Sequence, residues 1–439
     1  MSTSSPRERG DQPVVSILTL GCKLNQGDSE VIARRLAGEG VAITDRAVPD
    51  AAAFVINTCS VTHVADRKAR QLVRRARRLS PDAQIILTGC YAETAPADIA
   101  QEIGADLILR NSEKPSIPGR LLSHLAAKGD PSVGCPTAID PRSLRTRAFI
   151  KIQEGCNELC AFCIVPYTRG REVSVPIEEV VRIAQEREAE GVLEVVLTGT
   201  QLGNYGRDLG WSELGPRRLL EALLEQTRIP RIRLSSLQAQ DITPDLVRLW
   251  DDPRLCPHFH LPLQSGSDRI LAPMRRRYTA DQFRRAAALI RDRIAGVGIT
   301  TDVIAGFPGE TDEDFAATYD LSQEIEFAQM HCFPYSRRPH TGAESMLGHL
   351  PPEVRRERLE RLMKLAAILS ERFRQRHVGN TASVLWEQPS DGVCQGLTGN
   401  YIRVYALAKH DIRNRIIPAR LDALARDGLQ GTLVMGTTL

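Results

Sequence analysis

Apolar residues in this chain come in short runs separated by longer stretches of helical period. SILTLGC (16–22), AFVINTC (53–59), QIILTGC (84–90) and ADLIL (105–109) read as buried strands. Amphipathic segments from about Asp28 to Leu36, near 65–79 and near 97–102 fall between them. Strands alternating with helices predict a parallel, doubly wound sheet. A linker carrying Pro115, Pro118, Gly129, Pro131 and Pro136 then separates this region from a second series. Its strands are AFIKIQ (148–153), LEVVLTG (193–199), RIRLSS (231–236), HFHLPLQ (258–264), TTDVIAGF (300–307) and AQMHCFPY (328–335). Helices are expected near 176–190, 217–227, 279–292, 312–325 and 352–376. TDED (311–314) places a cap and acidic residues at a helix start. Leu359, Leu362, Met363, Ala366, Leu369 and Phe373 form a core-facing stripe on the last helix. Six β/α units predict an incomplete barrel, not a closed eight-stranded one. From about Gly379, the runs TASVLWEQ (381–388), GLTGNYIRVYAL (396–407), NRIIPARL (414–421) and GTLVM (431–435) predict a small all-β, OB-like barrel. The organisation is therefore an α/β sheet domain over 14–125, a partial (β/α)6 barrel over 142–376 and a β barrel over 377–439.

Composition narrows the function classes. The 439 residues are 42% hydrophobic and 25% charged, within the globular range. Basic and acidic residues nearly cancel, 57 against 54, which excludes a strongly basic nucleic-acid coat and an acidic tail protein. Only seven of the basic residues are lysine and the rest are arginine. Guanidinium suits phosphates and bases, but GC-rich codon usage produces the same bias, so the count assigns no partner. No run approaches 18 apolar residues, so no membrane-spanning helix is expected. The polar start MSTSSPRERGDQ lacks the apolar core of a signal peptide. A cytoplasmic location is expected, and in a reducing compartment ten cysteines point to metal ligation or catalysis.

The cysteines lie at 22, 59, 90, 135, 156, 160, 163, 256, 332 and 394. Cys22, Cys59 and Cys90 each fall at the carboxyl end of a predicted strand, the edge where open α/β sheets bind ligands. One such thiol is ordinary core chemistry; three in the same register favour a metal site. GCNELCAFC (155–163) holds Cys156, Cys160 and Cys163 in a CxxxCxxC run after the first barrel strand. Three thiolates on one loop suit three irons of a cubane cluster and leave the fourth open. Structural zinc prefers four closed ligands in paired spacing, and no second pair exists here. Cys135, Cys256, Cys332 and Cys394 show no partner spacing and are assigned to no cluster.

CxxxCxFC at the top of a partial β/α barrel resembles the radical S-adenosylmethionine (SAM) superfamily. The whole arrangement from about Val15 resembles its methylthiotransferases, with a three-cysteine α/β domain, the radical SAM core and a C-terminal TRAM barrel. TLGCKLNQ (19–26), KIQEGC (151–156), LPLQSGSD (261–268), MRRRYT (274–279), TTDVIAGFPGETDEDF (300–315), FPYSRRPHT (333–341) and GNYIRV (399–404) carry the likeness. INTCSVTHVADRKAR (56–70) resembles the subgroup acting on threonylcarbamoyladenosine in tRNA (MtaB type) more than the isopentenyladenosine and ribosomal-protein branches.

The resemblance implies two 4Fe–4S clusters. One, on Cys156, Cys160 and Cys163, would bind SAM and cleave it reductively to a 5′-deoxyadenosyl radical that activates C-2 of the adenine. The other, on Cys22, Cys59 and Cys90, would hold the sulfur to be inserted, and a second SAM would donate the methyl group. It also implies a tRNA substrate, a reductant such as a flavodoxin or ferredoxin, and a sulfur donor. Phe162, Gly199, Ser235, Gln264 and Gly306 match the superfamily's SAM-contacting positions. One departure stands out: the family commonly follows RGR with Ser-Arg, whereas this chain reads RGREVSVP (169–176); if that arginine serves SAM or the sulfur, Arg337 or Arg338 is the candidate to replace it. A different class, an iron–sulfur or zinc RNA-binding protein without radical turnover, fits the complete SAM-core pattern less well.

Two basic runs remain. Seven basic residues lie in the twelve from Arg67 to Arg78, and Arg275, Arg276 and Arg277 form a compact triplet. Each is read either as a solvated face or as a phosphate contact to tRNA. His258 and His260 share one face of a strand, where packing is expected over metal binding.

Overall fold

The computed structural model describes residues 13–96, 98–128, 146–211, 215–387, 393–408 and 410–434. The chain divides into two compact units, Met1–Arg145 with Tyr167–Arg169 and Thr146–Pro166 with Gly170–Leu439.

In the first unit the expected alternation builds a five-stranded parallel sheet of order β2-β1-β3-β4-β5. Its strands are β1 (Val14–Thr19), β2 (Ala42–Thr44), β3 (Ala53–Thr58), β4 (Gln84–Gly89) and β5 (Leu107–Leu109). Side chains alternate across a strand, so the two faces bury different sets. Val15, Ile17, Val55 and Ile86 pack with α1 (Lys23–Gly38), through Ile32 and Leu36, and with a later helix carrying Leu121 and Leu125. Phe54, Ile56, Ile85 and Leu87 pack under α2 (His63–Leu79), through Ala69, Val73 and Ala76. Each fully buried branched side chain contributes about 1.5–3 kcal/mol. Thr62 caps α2 by accepting from the Ala65 N–H.

β2 has no counterpart among the expected strands: it is a three-residue half-buried edge strand too short to show period two. The first helix starts earlier than its amphipathic stretch, at Lys23, with Leu24 and Asn25 already buried in the first turn. The helix expected near 97–102 is α4 (Ile99–Ile103), and a further short helix, α3 (Cys90–Thr94), precedes it. Pro115 and Pro118 do not belong to a linker: Pro115 lies in a 3₁₀ helix (Asn111–Ser116) and Pro118 in the first turn of α5 (Ile117–Ala127), where its missing N–H costs nothing. Gly129, Pro131, Cys135 and Pro136 lie outside the described residues.

The second unit holds six parallel barrel strands in chain order. β6 (Arg147–Lys151) leads into a short hairpin of β7 (Gln153–Glu154) and β8 (Val173–Ser174). β9 (Glu194–Thr198), β10 (Arg231–Leu234), β11 (His258–His260), β12 (Gly298–Ala305) and β13 (Gln329–Pro334) follow. They form two three-stranded sheets, β10-β9-β6 and β11-β12-β13, with the Ile232–Leu255 bridge beside β10. The partial barrel is as expected. Helices 280–293 and 312–325 open with reciprocal caps, Thr279 with Gln282 and Thr311 with Asp314. On the last helix, Pro352–Gln375, the buried residues include Leu362, Leu365, Leu369 and Phe373. Met363 is exposed, contrary to expectation, because 3.6 residues per turn carries the stripe through 362, 365 and 369.

The C-terminal strands β14 (Thr381–Trp386), β15 (Cys394–Thr398), β16 (Arg403–Ala406), β17 (Arg415–Ala425) and β18 (Gly428–Leu433) close into a barrel. The run 396–407 is two strands, broken at a turn where Tyr401 takes φ +73°. Arg147, Glu194 and Arg231 stand in register at the amino ends of β6, β9 and β10. Fully buried Glu194 pairs with Arg233 at 2.8 Å and Arg231 at 3.6 Å. Burial pushes its carboxyl up, but Arg233, Arg147 and Arg231 outweigh that and hold it below the ordinary range. The same arginines donate into the β barrel, Arg231 to the Leu397 carbonyl at 2.9 Å and Arg233 to that of Gly399 at 2.8 Å.

Candidate functional site

The first unit places Cys22, Cys59 and Cys90 at the carboxyl ends of β1, β3 and β4, which are neighbours in the sheet. Cys22 is the N-cap residue of α1, Cys59 follows β3 directly, and Cys90 opens α3. They run from exposed (Cys22) through half-buried (Cys59) to buried (Cys90). Gly89 takes φ +93°, and a Cβ there would lie 2.4 Å from the Thr58 carbonyl oxygen, so glycine is what lets the β4 end turn into Cys90. A Cβ on Gly21 would stand 3.2 Å from Cys59 Sγ, which places the Cys22 loop against Cys59. Buried amides lock this edge: Asn25 Nδ2 donates to the Leu20 and Thr58 carbonyls (2.7 and 2.9 Å), and Asn57 Nδ2 donates to the Asn25 carbonyl (2.9 Å). Burial pushes the Cys59 thiol up to about 11, with smaller contributions from Cys90 and Cys22. Lys114 Nζ and Asp28 Oδ2 form a buried pair at 2.6 Å, and Cys90 is among the groups that bear on the lysine.

On the basic helix, Arg70 donates to Tyr91 Oη, Arg74 pairs with Glu102 and Arg77 with Asp106. Arg67, Lys68, Arg75 and Arg78 are exposed without an ion pair among the described residues.

In the second unit the loop 155–163 leaves the β7–β8 hairpin through Gly155, whose φ is +73° and whose Cβ would fall 1.9 Å from the Arg171 carbonyl oxygen. The Cys156 N–H donates to the Gly170 carbonyl and that of Cys163 to the Cys160 carbonyl (3.1 and 3.0 Å). Burial, first among the causes, pushes the Cys156 and Cys163 thiols up to about 12, and the three thiols act on one another. Gln153, which sequence reasoning missed although it stands in KIQEGC, ties this loop to the next strand end. Its Oε1 accepts from the Thr200 and Gln201 N–H groups (2.8 and 3.0 Å), and its Nε2 donates to the Gly155 carbonyl at 2.8 Å.

Phe162 is partly buried against a small cluster containing Ala161, Met274, Phe307 and Tyr335. Gly199 follows β9, and a Cβ there would strike Leu202 Cδ2 at 2.7 Å and Gln153 Oε1 at 3.0 Å. Buried Ser235 follows β10. Gln264 lies beyond β11 with φ +61°, bridged to Val303. Gly306 follows β12 and donates its N–H to Glu310 Oε2 at 2.9 Å. All five therefore lie at or beyond carboxyl ends of the barrel strands, where β/α barrels bind substrate. Arg338 is buried and Arg337 exposed. His258 Nε2 and His260 Nδ1 both hydrogen-bond the Thr300 hydroxyl (3.2 and 2.9 Å), a packing arrangement.

Among the described residues no three His, Cys, Asp or Glu side chains close around a single metal ion. A cubane cluster is bound through separate irons, so its thiolates need not converge on one point. The donor chemistry fits iron–sulfur: both trios are all-thiol, and burial keeps Cys59, Cys156 and Cys163 protonated unless a cation holds the thiolates. At the barrel edge Thr200 Oγ1, Gln201 Nε2 and Ser235 Oγ are buried without a hydrogen-bond partner. Unsatisfied groups of this kind cost about 1–3 kcal/mol each, which a polar cosubstrate would recover.

The Radical SAM superfamily model matches residues 150–322, and the model of Uncharacterized protein family UPF0004 matches 14–110. The chain is 34% identical to the Bacillus subtilis threonylcarbamoyladenosine tRNA methylthiotransferase MtaB, covering 93% of each protein. It is 36% identical to the Thermotoga maritima protein of that name over 94% of this chain and 96% of the relative. It is also 34% identical to the Moorella thermoacetica tRNA-2-methylthio-N(6)-dimethylallyladenosine synthase, covering 96% and 98%. Among solved structures, the radical SAM methyltransferase TsrM from Kitasatospora setae shares the fold, with TM-score 0.55 and 15% identity over 76% of this chain and 75% of that one. No helix among the described residues is long and apolar enough to cross a membrane.

Proposed function

Because the chain belongs to the radical SAM tRNA methylthiotransferases, we propose that it inserts sulfur and a methyl group at C-2 of N6-threonylcarbamoyladenosine at position 37 of tRNA. The observation that carries the substrate is the near full-length likeness to proteins named for that nucleoside, together with VTHVADRKAR after the second cysteine. The dimethylallyladenosine reading is the alternative, favoured by a relative of equal identity bearing that name.

The family implies a 4Fe–4S cluster and SAM in the barrel; we assign that cluster to Cys156, Cys160 and Cys163 and a second one to Cys22, Cys59 and Cys90. When bound, the two would supply radical generation at a carbon no protein base deprotonates, and the sulfur to be inserted. The protein's share is positioning. Gln153 holds the neck of the cysteine loop against the end of β9. Thr200, Gln201 and Ser235 offer buried polar atoms to SAM, with Phe162, Gly199, Gln264 and Gly306 as further contacts. The proposed working parts are the α/β domain over 14–125, the radical SAM core over 142–376 and the TRAM domain over 377–439. They would act in the cytoplasm with a tRNA substrate, a reductant such as a flavodoxin or ferredoxin, and a sulfur donor.

Nucleoside mass spectrometry of tRNA from a deletion strain tests the substrate. The methylthio derivative of threonylcarbamoyladenosine should disappear while its unmodified precursor accumulates. Loss of the dimethylallyl derivative instead would transfer the assignment to the alternative. Absence of 5′-deoxyadenosine from the reduced, reconstituted enzyme given SAM would sink both.

A further inference from the structure

Of the three consecutive arginines at 275–277, the middle one turns inward. Arg275 is exposed, with φ +58° at the turn after Met274. Arg277 is itself exposed but pairs with the buried carboxylate of Glu158 at 3.2 Å. Arg276 is drawn in: its Nη1 lies 3.5 Å from Cys160 Sγ. Its Nε donates to Tyr278 Oη at 3.1 Å, and the guanidinium stands 4.9 Å from the Tyr278 ring centroid. Tyr278 is 3% exposed, and its hydroxyl shares its proton between the Pro262 and Leu263 carbonyls (2.6 and 2.8 Å). The remaining nitrogen, Nη2, is buried without a hydrogen-bond partner. The same turn grips the loop twice more, since the Ala161 N–H donates to the Met274 carbonyl at 3.0 Å and Arg277 holds Glu158.

We propose that Arg276 is a positioning residue that sets the redox poise of the loop cluster, by donating a charge-assisted hydrogen bond to the Cys160 thiolate. The proposal rests on the reading that Cys156, Cys160 and Cys163 ligate a 4Fe–4S cluster. Hydrogen bonds to ligand sulfurs and nearby positive charge favour the more negative, reduced state. A guanidinium is never deprotonated, so the bias holds at every working pH. Tyr278 fixes the fork by occupying Nε and the ring face, which leaves the terminal nitrogens to the loop. An ordinary tRNA-phosphate contact would leave the side chain in solvent, as it leaves Arg275.

The test is a redox titration followed by electron paramagnetic resonance. It uses the full-length protein with Cys22, Cys59 and Cys90 all changed to alanine, so that one cluster titrates. Arg276→Gln should lower the reduced-to-oxidised ratio at fixed ambient potential about tenfold, a shift of about 59 mV to more negative potential for a one-electron couple. Arg276→Lys keeps the charge and loses the fork, and should fall between Gln and the parent. An anchor of purely structural importance would change iron loading and thermal stability and leave the midpoint in place. If Arg276→Gln loads no cluster, Arg276→Lys decides: a displaced midpoint supports the proposal, and a parental one overturns it. Parental midpoints in loaded Gln protein overturn it directly. If the parent itself yields no reducible 4Fe–4S signal, the cluster assignment fails and the role of Arg276 with it, an outcome distinct from parental midpoints in loaded variants.

Discussion

The two cysteine trios present similar donor sets assembled by opposite routes. Cys156, Cys160 and Cys163 lie within eight residues on one loop. Cys22, Cys59 and Cys90 are separated by 37 and 31 residues and stand together because β1, β3 and β4 are neighbours in a parallel sheet. The first set is specified by local spacing and a hairpin neck. The second exists only when three strands have paired in the right order and register. A site made of strand ends inherits the full cooperativity of its sheet, whereas a loop site needs only its neck closed.

The comparison breaks most sharply at the cysteines themselves. Cys160→Ala should reduce SAM cleavage to background while about four irons stay on the other trio. Cys59→Ala should keep about four irons and SAM cleavage but lose the methylthio product. Iron analysis and 5′-deoxyadenosine assays read both, and loss of all iron from either variant would contradict independent trios. Next in size is Glu194→Gln, which leaves buried Arg231 and Arg233 without their shared carboxylate. Breaking a buried pair in this way costs about 3–5 kcal/mol, measurable by denaturant unfolding. Glu194 sits at the amino ends of the strands, so below the transition the loop cluster's spectrum should be unchanged.

Gly89→Ala should cost about 2–4 kcal/mol, combining a positive φ with a backbone clash against Thr58. Its signature is iron lost from the strand-end trio with SAM cleavage retained. Equal loss from both sites would mean that the trios are not assembled separately. The smallest effect concerns Asp241 on the loop side. Burial, aided by Glu158, pushes its carboxyl up to about 6 against an ordinary 3.8. The folded state therefore binds this proton more tightly than the unfolded chain, and stability falls as pH rises from about 4 to 6. Asp241→Asn should gain on the parent across that window by at most about 3 kcal/mol. Melting curves at pH 4 and pH 7 check it, and a parent–variant difference that does not change with pH refutes it.

Recognition from sequence followed the range of each signal. The loop trio was plain because CxxxCxxC is a spacing within one segment. The strand-end trio was readable because each cysteine closes an apolar run, and runs of period two or 3.6 survive without coordinates. The expected strands mostly differ from those observed by a few residues at their ends. Failures occurred where the deciding contact is distant. Arg275, Arg276 and Arg277 are the same letter three times, and only the left-handed turn at Arg275 together with Tyr278 selects the middle one. Glu194 carries no signal of its own in LEVVLTG, and only folding brings Arg231 and Arg233 onto it. Helical spacing alone admits Met363 to the core stripe, but Leu365 takes that place.

Residue order therefore suffices for the α/β plan, the small closed barrel and both sets of thiols, because hydrophobic period and ligand spacing are local and additive. Which charges are buried, which arginine meets a cysteine sulfur and which amide holds the loop neck depend on chain folding. A buried charge or amide is tolerable only with partners in place, and those partners arrive from strands and turns tens to hundreds of residues away.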